Sequence, residues 1–353
     1  MAVRTYAIWG TATSPAHEEW VREVGKQFEK DEFRAVDDVA EADFVLNMFD
    51  AADPKAFRRA SRGTYSAAFY ELPDAPEDAL KESYPMLVRT LSNVVLLRVP
   101  GEGVWFTTME RGTYHVADDP EEIYERLEPL ATSRLVIDNE WVPDLEPELW
   151  DGDEVTADIG AAGRRLDELD LLPSPFPVEE YLSGRDLRHV MRLYSVGGLS
   201  YGNLSARKDE TRFWMSASGV DKSQLEAVGR DFLMVKDFDD ERGVIVLSVP
   251  PGIEPRRVSV DAIEHWMIYQ AHPDVGAILH VHAWMEGIPA TDVNYPCGTQ
   301  ELAVAVADLV ALEPDPAHAV IGLRNHGITC TGESLSEILD RVAPKVLRQV
   351  PMT

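Results

Sequence analysis

The sequence predicts an α/β protein with two domains. Its 353 residues are more than one hydrophobic core usually serves, and an apolar fraction of 45% is ordinary for a globular protein. In the first part of the chain, short apolar runs alternate with stretches of helical periodicity, a pattern typical of a sheet covered by helices. We place a layered α/β domain at residues 1–145 and a second domain at residues 146–353.

Apolar runs predict the strands of the first domain. They are expected at residues 5–10, 44–49, 66–72, 93–99 and 134–138, with an antiparallel hairpin at 103–109 and 111–116. Apolar residues three or four positions apart predict helices between the strands. These residues are Trp20, Val24 and Phe28, and then Ile123, Leu127 and Leu130.

The first helix has a clear start, with Ser14 as N-cap and Pro15 at the first helical position. A helix that begins after a first strand can bind phosphate. Here Glu18 and Glu19 already satisfy the helix dipole and would repel an anion. No G-x-G-x-x-G motif is present, so we predict no nucleotide site in this domain.

An acidic stretch at residues 138–154 is predicted to link the two domains. Apolar residues at helical spacing then predict a helix over 155–169, and a second helix is expected over 183–195. Three prolines separate these helices, and the second one leads into a glycine-rich segment.

The net charge of −29, from 62 acidic and 33 basic residues, restricts the partners of this chain. The acidic residues are spread along the whole sequence, which indicates a solvated acidic surface rather than an interaction patch. Such a field repels polyanions, so nucleic acids and anionic membranes are excluded as partners. An anionic substrate would need a metal ion, backbone N–H groups or a few placed cations.

The two cysteines, Cys297 and Cys330, do not form a disulfide framework, and we expect both to be structural. The first fifteen residues contain one arginine and no long apolar segment, so no secretory signal is expected. No apolar run approaches the length of a membrane span. These features predict a soluble cytoplasmic protein.

Six of the nine histidines lie after residue 260, and two of them share one predicted strand. His280 and His282 in GAILHVHAW point to the same face, with Cα atoms about 7 Å apart. Such a pair is more often part of a strand face or a hydrogen-bonded core. A third ligand, His326, is expected in the turn that follows the apolar run VIGLR. Three histidines that leave a fourth position open are typical of a catalytic zinc site.

Five motifs follow one another in the second domain: GGLSYGNLSAR, SASGVDKSQL, DAIEHWMIYQAHPDVGAILHVH, YPCGTQELAVAVADLV and NHGITCTGESLSEIL. In this order they resemble the class II aldolase/adducin family, represented by L-fuculose-phosphate aldolase. The resemblance runs from about residue 155 to about residue 343. It implies a three-layer α/β/α domain around a mixed sheet and a homo-oligomer, a tetramer in many family members.

The resemblance also implies the site residues and the cofactor. Zn2+ would be held by His280, His282 and His326, although manganese, iron, cobalt or nickel also suit three imidazoles. The implied substrate-binding and phosphate-binding residues are Ser200, Asn203, Ser218, Gly219 and Ser259. Hydroxyls, an amide and exposed N–H groups can hold an anion without a cluster of lysines.

The catalytic glutamate of the family corresponds to Asp261, a shorter carboxylate. Two roles are open for it: catalysis, or an N-cap that forms a capping box with Glu264. Glu264 is the alternative base, and Tyr295 is a candidate proton donor. His265 is expected to pack rather than to bind metal.

Other departures concern the pocket. Val260 replaces a serine of the family's phosphate loop, and the chain is shorter both between His282 and YPCGT and after the last predicted helix. We expect the first domain to supply part of the missing pocket wall.

The resemblance therefore implies a metal-dependent lyase that cleaves or forms a C–C bond in a small sugar phosphate or related hydroxy-carbonyl compound. Catalysis would proceed through a metal-stabilised enediolate. An epimerase, dehydratase or decarboxylase would use the same ligands, so these reactions remain open. A non-catalytic adducin-like binding protein is a further alternative, and the three retained histidines argue against it. A third possibility, an oligomerisation role beside an active first domain, ranks last because that domain has no chemical motif.

Overall fold

The computed structural model describes residues 3–59, 64–108, 112–169, 178–193 and 202–353. By their contacts these residues divide into two units. The first unit contains the described residues of Met1–Thr132, Phe176–Leu193 and Met352–Thr353. The second unit contains the described residues of Ser133–Pro175 and Tyr194–Pro351. Among the described residues, every helix is too short or too polar to span a lipid bilayer.

The first unit is a seven-stranded sheet covered by helices. Its strands are β1 (Thr5–Gly10), β2 (Arg34–Ala35), β3 (Phe44–Met48), β4 (Tyr65–Glu71), β5 (Val94–Val99), β6 (Gly103–Thr108) and β7 (Gly112–Val116). Its helices are α1 (Pro15–Lys30), α2 (Ala79–Thr90), α3 (Pro120–Thr132), α5 (Val178–Tyr181) and α6 (Gly184–Leu193), with a 3-10 turn at Val39–Glu41. Four of the strands predicted from the sequence and the hairpin are confirmed.

The first sheet has the order β2-β1-β3-β4-β5-β6-β7. Strands β1 to β5 pair in parallel, and the hairpin of β6 and β7 adds antiparallel pairs. Alternate residues of each strand point to opposite faces. Tyr6 packs in one core with α1 and α3, whereas Ala7 packs with Val45 and Phe57 on the other face.

The first helix begins where the sequence predicted. Ser14 is extended, and its side chain accepts a hydrogen bond from the N–H of His17. Pro15 occupies the first helical position, where its missing N–H has no cost. Trp20, Val24 and Phe28 are all buried on one face of this helix, as their spacing requires.

The second unit has an eight-stranded sheet in the order β14-β15-β13-β9-β10-β11-β12-β8. The strands are β8 (Asp138–Val142), β9 (Asn203–Arg207), β10 (Phe213–Ser216), β11 (Phe232–Asp239), β12 (Val244–Ser248), β13 (Ala277–Val281), β14 (Val320–Leu323) and β15 (Gly327–Gly332). The helices are α4 (Glu154–Glu168), α7 (Ala262–Ala271), α8 (Gln300–Leu312) and α9 (Leu335–Val342). Short 3-10 turns lie at Pro147–Leu149, Lys222–Gln224 and Pro316–His318.

This second sheet is antiparallel except for the parallel pair of β12 and β8. Helices α4 and α9 pack together and contact β9, while α7 and α8 pack together and contact β11 and β14 respectively. The arrangement is the three-layer α/β/α architecture that we expected, and the predicted fold class is confirmed.

The acidic stretch predicted as a linker, and the strand predicted at 134–138, differ from the structure. Residues 138–142 form β8, which pairs with β12 at the edge of the second sheet. Val136 is buried in the core of the second unit, and Leu135 forms a single bridge to Thr299. The first change between units along the chain comes at residues 132/133, whereas the sequence predicted a single boundary at 145/146.

Candidate metal centre

Strand β13 is an interior strand of the second sheet, and it carries the first two histidines. His280 is fully buried and lies opposite Asn203 on β9 and Thr329 on β15. His282 follows the end of the strand and is half-buried. The two rings have centroids 5.1 Å apart, as expected for side chains on one face of a strand.

The third histidine, His326, lies in the tight turn between β14 and β15. Its neighbour Asn325 has a φ of 54°, in the left-handed region that asparagine tolerates. A Cβ on Gly327 would lie 2.3 Å from the carbonyl oxygen of Val281, so a glycine is needed where the turn meets the end of β13. The close approach places the ring centroid of His326 4.8 Å from that of His280 and 4.9 Å from that of His282.

The three imidazoles fit a single metal ion. Their candidate ligand atoms all lie within 4.8 Å of one another, and the Nε2 atoms of His326 and His282 are 3.1 Å apart. Two nitrogens bound to one tetrahedral zinc, each about 2.05 Å from the ion, lie about 3.3 Å apart. Within the described part of the chain, no other group of three or more potential ligands meets this condition.

A relay of hydrogen bonds orients His280. The hydroxyl of Thr329 donates to Oε1 of Glu264 at 2.5 Å, and the oxygen of that hydroxyl is 3.3 Å from Nδ1 of His280. When the hydroxyl hydrogen of Thr329 goes to Glu264, as in this arrangement, Nδ1 of His280 is the donor in the second bond. This tautomer leaves Nε2 of His280 as the atom available to a metal, the usual arrangement behind a ligating imidazole.

Glu264 is buried, and its environment keeps it protonated at neutral pH. Burial raises the pKa of its carboxyl to about 8, with a further contribution from the Asp261 carboxylate, while the Thr329 hydrogen bond acts in the opposite direction. A protonated carboxyl can hold or donate a proton, but it cannot act as a base until it is ionised.

Asp261 precedes α7 and does not form the capping box considered from the sequence. It makes no side-chain capping hydrogen bond, because its φ of −82° and ψ of 11° differ from those of an extended N-cap residue. Its Oδ2 instead accepts a 2.8 Å hydrogen bond from the side-chain amide of Asn203, which is the register partner of His280. The capping alternative is therefore wrong, and Asp261 is a buried carboxylate beside the histidine strand.

The residues expected to bind phosphate differ in their exposure to solvent, and one of them is not described by the structure. Ser200 lies outside the described residues. Ser218 is exposed, and its backbone N–H donates to the carbonyl of Arg257, while Gly219 follows with a φ of 66°. Ser259 is buried just before Asp261. Together with Asn203, these residues remain predictions as phosphate ligands.

Three further residues were not assigned a role in the site from the sequence. Lys222 is buried, and this burial lowers its pKa to about 8 against the opposing effects of Asp261 and Asp221. Thr329 forms the relay to His280. Cys297, expected to be structural, has its Sγ 3.3 Å from Nε2 of His326. The only available signal was position within family-like motifs, because these contacts join residues distant in sequence.

Tyr295 and His265 are the remaining two residues that the sequence analysis singled out. Tyr295 is half-buried against the hydrophobic core, and its proton-donor role remains a prediction. His265 is fully buried, with Nδ1 2.7 Å from the hydroxyl of Ser205, and burial followed by the nearby His280 holds its pKa well below the usual range. These contacts agree with a packing role for His265.

Comparisons with known proteins match this same part of the chain. The family model described as the Class II Aldolase and Adducin N-terminal domain matches residues 187–290. Methylthioribulose-1-phosphate dehydratase from Citrobacter koseri is 30% identical over 165 residues, which cover 38% of this chain and 75% of that protein. The chain belongs to the class II aldolase and adducin family. This membership confirms the resemblance inferred from the motifs and the class II aldolase-like enzyme class that it implied.

Other family members show the range of similarity. Methylthioribulose-1-phosphate dehydratase from Klebsiella pneumoniae strain 342 is 25% identical over 167 residues, which cover 38% of this chain and 76% of that protein. Among solved structures, an L-fuculose 1-phosphate aldolase is 19% identical, covering 55% of this chain and 84% of its own, with a TM-score of 0.36. The L-fuculose-1-phosphate aldolase from Thermus thermophilus is 18% identical, covering 54% and 90%, with a TM-score of 0.34.

Proposed function

We propose that this chain is a metal-dependent lyase that acts on a small phosphorylated ketose or a related hydroxy-carbonyl compound. His280, His282 and His326 would hold the ion, with zinc as the expected metal. The observation that carries the proposal is the convergence of three imidazoles, two of them with Nε2 atoms 3.1 Å apart, beside the buried carboxyl groups of Asp261 and Glu264.

The bound ion would supply Lewis-acid chemistry, since it polarises a carbonyl oxygen and stabilises the negative charge that develops there. Asp261 would remove the proton, because Asn203 fixes its carboxylate next to the histidine strand. Glu264 would hold a proton at neutral pH and, through Thr329, keep the His280 ring in the ligating tautomer. Tyr295 is the candidate donor to the leaving group.

The expected substrate carries a phosphate group. Asn203, Ser218, Gly219, Ser259 and Ser200 would bind it through hydroxyl, amide and backbone N–H groups. Neutral donors of this kind suit a chain with a net charge of −29, which lacks an excess of cations for the same purpose.

Two reactions follow from this set of groups. If Asp261 takes a proton from a hydroxyl group, the adjacent C–C bond breaks to give one carbonyl fragment and one enediolate, and the enediolate takes up a proton on carbon to become the second carbonyl fragment, as in an aldolase. If it takes a proton from the carbon next to the carbonyl, the hydroxyl on the following carbon takes up a proton from the donor, for which Tyr295 is the candidate, and leaves as water. The dehydratase relatives favour the second reaction, and the resemblance to aldolases favours the first.

The test is to incubate the full chain, loaded with zinc, with a panel of ketose 1-phosphates and to analyse the products by mass spectrometry. Aldol cleavage gives two smaller products, and dehydration gives one product lighter by a single water. His280→Ala serves as the inactive control, and Asp261→Asn as a control of strongly reduced activity. If a zinc-loaded chain turns over no member of the panel, the lyase proposal loses its support and an adducin-like binding role gains it.

The oligomer belongs to the same proposal. Family resemblance suggests a homo-oligomer, a tetramer in particular, and sedimentation equilibrium of the full chain measures its mass directly. A monomer at micromolar concentration would contradict it.

A further inference from the structure

The first unit has a cavity at the carboxyl ends of its parallel strands. Its volume is about 610 Å³, within the range of sites that hold a small molecule. The segments that follow β1 and β2, residues 10–15 and 35–37, line it together with Met48 at the end of β3. None of the residues considered for the metal centre contributes to this lining. The cavity is therefore a feature of the first unit by itself.

The strand order places this cavity where open parallel sheets bind their ligands. Strand β1 has β2 on one side and β3 on the other, so the chain leaves β1 in two opposite directions along the sheet. Helix α1, which follows β1, packs on one face of the sheet, whereas Phe57, which follows β3, packs on the other. The two connections diverge, and the crevice between them is the usual binding position in sheets of this class.

A sharp turn after β1 forms one wall of the cavity. Gly10 has a φ of 93°, and a Cβ there would overlap the carbonyl oxygen of Met48, so the position requires a glycine. The N–H of Thr11 donates to that same carbonyl oxygen at 3.0 Å. This hydrogen bond holds the start of the segment from Thr11 to Ser14 against the end of β3. Backbone geometry therefore sets this wall.

The charges of the lining are nearly balanced. Arg22 forms an ion pair with Glu18 at 2.8 Å, which leaves Asp37 as the one uncompensated charge of the lining. No hydrogen bond or ion pair joins the Asp37 carboxylate to another residue that the structure describes. Asp37 and Glu18 would repel an anion, and Arg22 in the same lining disfavours a cation. The lining therefore favours a ligand without net charge.

Hydroxyl groups accompany the carboxylate. Thr11, Thr13 and Ser14 line the cavity, and the Ser14 oxygen accepts a hydrogen bond from the N–H of His17, so its hydrogen is available to a ligand. An ionised carboxylate accepts hydrogen bonds at two oxygens and donates none, whereas a hydroxyl does both. A ligand with two adjacent hydroxyls can donate both to Asp37 and exchange further hydrogen bonds with the serine and threonines.

We propose that this cavity binds a neutral sugar, with two adjacent hydroxyls of the ligand donating to the Asp37 carboxylate. The inference goes beyond the proposed lyase function, because no metal ligand takes part in it. It agrees with the expectation that this unit holds no nucleotide, since Glu18 and Asp37 would oppose a phosphate group. Apolar side chains of the lining, among them Ile8 and Val36, can pack against the C–H groups of the sugar ring.

The test measures the binding of methyl glycosides to the full chain by ligand-observed NMR titration. Methyl β-D-ribofuranoside and methyl α-D-mannopyranoside each have a closed ring with adjacent hydroxyls, and neither offers the metal centre a carbonyl group. Their methyl 2-deoxy counterparts lack one hydroxyl of the adjacent pair and are the matched probes. Wild type should bind at least one parent glycoside about tenfold more tightly than its deoxy counterpart, since a hydrogen bond to a charged group is lost.

Two neighbouring variants locate the site. Asp37→Asn removes the charge that accepts the ligand hydroxyls and should weaken glycoside binding at least about tenfold. The matched control is Asp38→Asn, because Asp38 does not line the cavity and its carboxylate accepts from the N–H of Ala40. Asp38→Asn should bind the glycosides as wild type does, and both variants should keep the metal.

The other outcomes contradict the proposal. Absence of binding of both parent glycosides by wild type would overturn it. Binding that survives Asp37→Asn unchanged would place the sugar elsewhere, and its loss in His280→Ala would assign it to the metal centre. A proton–nitrogen correlation spectrum checks the location in wild type alone. The amide signals of Thr11 and Asp37 should shift on addition of glycoside, and a shift confined to Thr329 and its neighbours would exclude this cavity.

Discussion

Each of the two units buries a histidine completely, but the surroundings of the two imidazoles differ. His17, on α1, accepts a hydrogen bond from the backbone N–H of Thr13 and lies beside the ring of Trp20. His280, on β13, lies beside two further imidazoles and a relay to Glu264. Among the described residues of the first unit, no group of three potential metal ligands comes together. Burial alone makes a histidine part of a core, and convergence makes it part of a site.

The topology of the two sheets explains where convergence occurs. In the second sheet, β15 runs antiparallel to β13, so the turn before β15 lies next to the end of β13. That turn carries His326, and the end of β13 carries His280 and His282. In the first unit the strands β1 to β5 are parallel, and the carboxyl ends of β1, β2 and β3 line a cavity of about 610 Å³ together with Thr11, Ser14 and Asp37. The prediction that this unit binds no nucleotide stays a prediction.

Replacing His280 should produce the largest difference between the two units. His280→Ala removes the central ligand, and the bound zinc, about one per wild-type chain, should be lost together with all lyase activity. The matched control His17→Ala removes an equally buried imidazole from the first unit and should keep the metal. Elemental analysis of the purified proteins is the measurement. Retention of zinc by His280→Ala would show that the three-histidine centre is not the metal site.

Replacement of the two carboxyl groups, Asp261 and Glu264, should lower kcat to different extents. Asp261→Asn should lower kcat by about 10²- to 10⁴-fold, the usual contribution of a general base. Glu264→Gln should lower it less than about tenfold at neutral pH, because Glu264 is already protonated there. Steady-state kinetics of the zinc-loaded proteins gives both values. A larger loss in Glu264→Gln than in Asp261→Asn would reverse the assignment of the base.

His17 should make the stability of the first unit depend on pH. Burial, and then Arg98, lowers the pKa of His17 from 6.5 to about 4, so the folded chain binds fewer protons than the unfolded chain between these values. Its contribution is present above pH 6.5 and is lost as the pH falls through about 4, a change of up to about 3 kcal/mol in the free energy of unfolding. Hydrogen exchange of the α1 amides, in wild type and His17→Gln, measures the effect. An identical pH dependence in both proteins would contradict this prediction.

Removal of one hydroxyl behind the metal centre should have the smallest effect. Thr329→Val breaks the relay between Glu264 and His280 and should weaken zinc binding about tenfold, as loss of an outer partner usually does. Thr331 lies on the same strand and is equally buried, but its hydroxyl donates to the carbonyl of Pro316. Thr331→Val is therefore the matched control, and its zinc affinity should match wild type. Competition with a chromophoric chelator measures both, and equal affinities would exclude the relay.

Local patterns in the sequence predicted most of the elements. The apolar runs of β1, β3, β4 and β5 and the start of α1 at Ser14 are all present as predicted. These features depend on neighbouring residues only, through periodicity, capping and proline, so the sequence is sufficient to find them. The spacing of His280 and His282, with His326 in a turn after a strand, was likewise visible in the sequence.

The pairing of strands that are distant along the chain could not be predicted from the sequence. The stretch at 138–154 is acidic and its strand β8 alternates between exposed and half-buried residues, so it resembles a linker until β12 is known to lie beside it. An edge strand has one partner and little apolar content, and its assignment depends on that partner.

The sequence by itself determined the α/β class, the family motifs and the identity of three imidazoles at one end of a sheet. Only the tertiary structure decided that Asp261 binds Asn203 rather than capping α7, that Thr329 links Glu264 to His280, and that Cys297 contacts His326. The physical reason is the separation of the contacting residues along the sequence. A capping box or a helical face is formed by residues within a few positions of one another, whereas these contacts join residues 29 to 65 positions apart. Whether such side chains meet is decided by strand register and turn geometry.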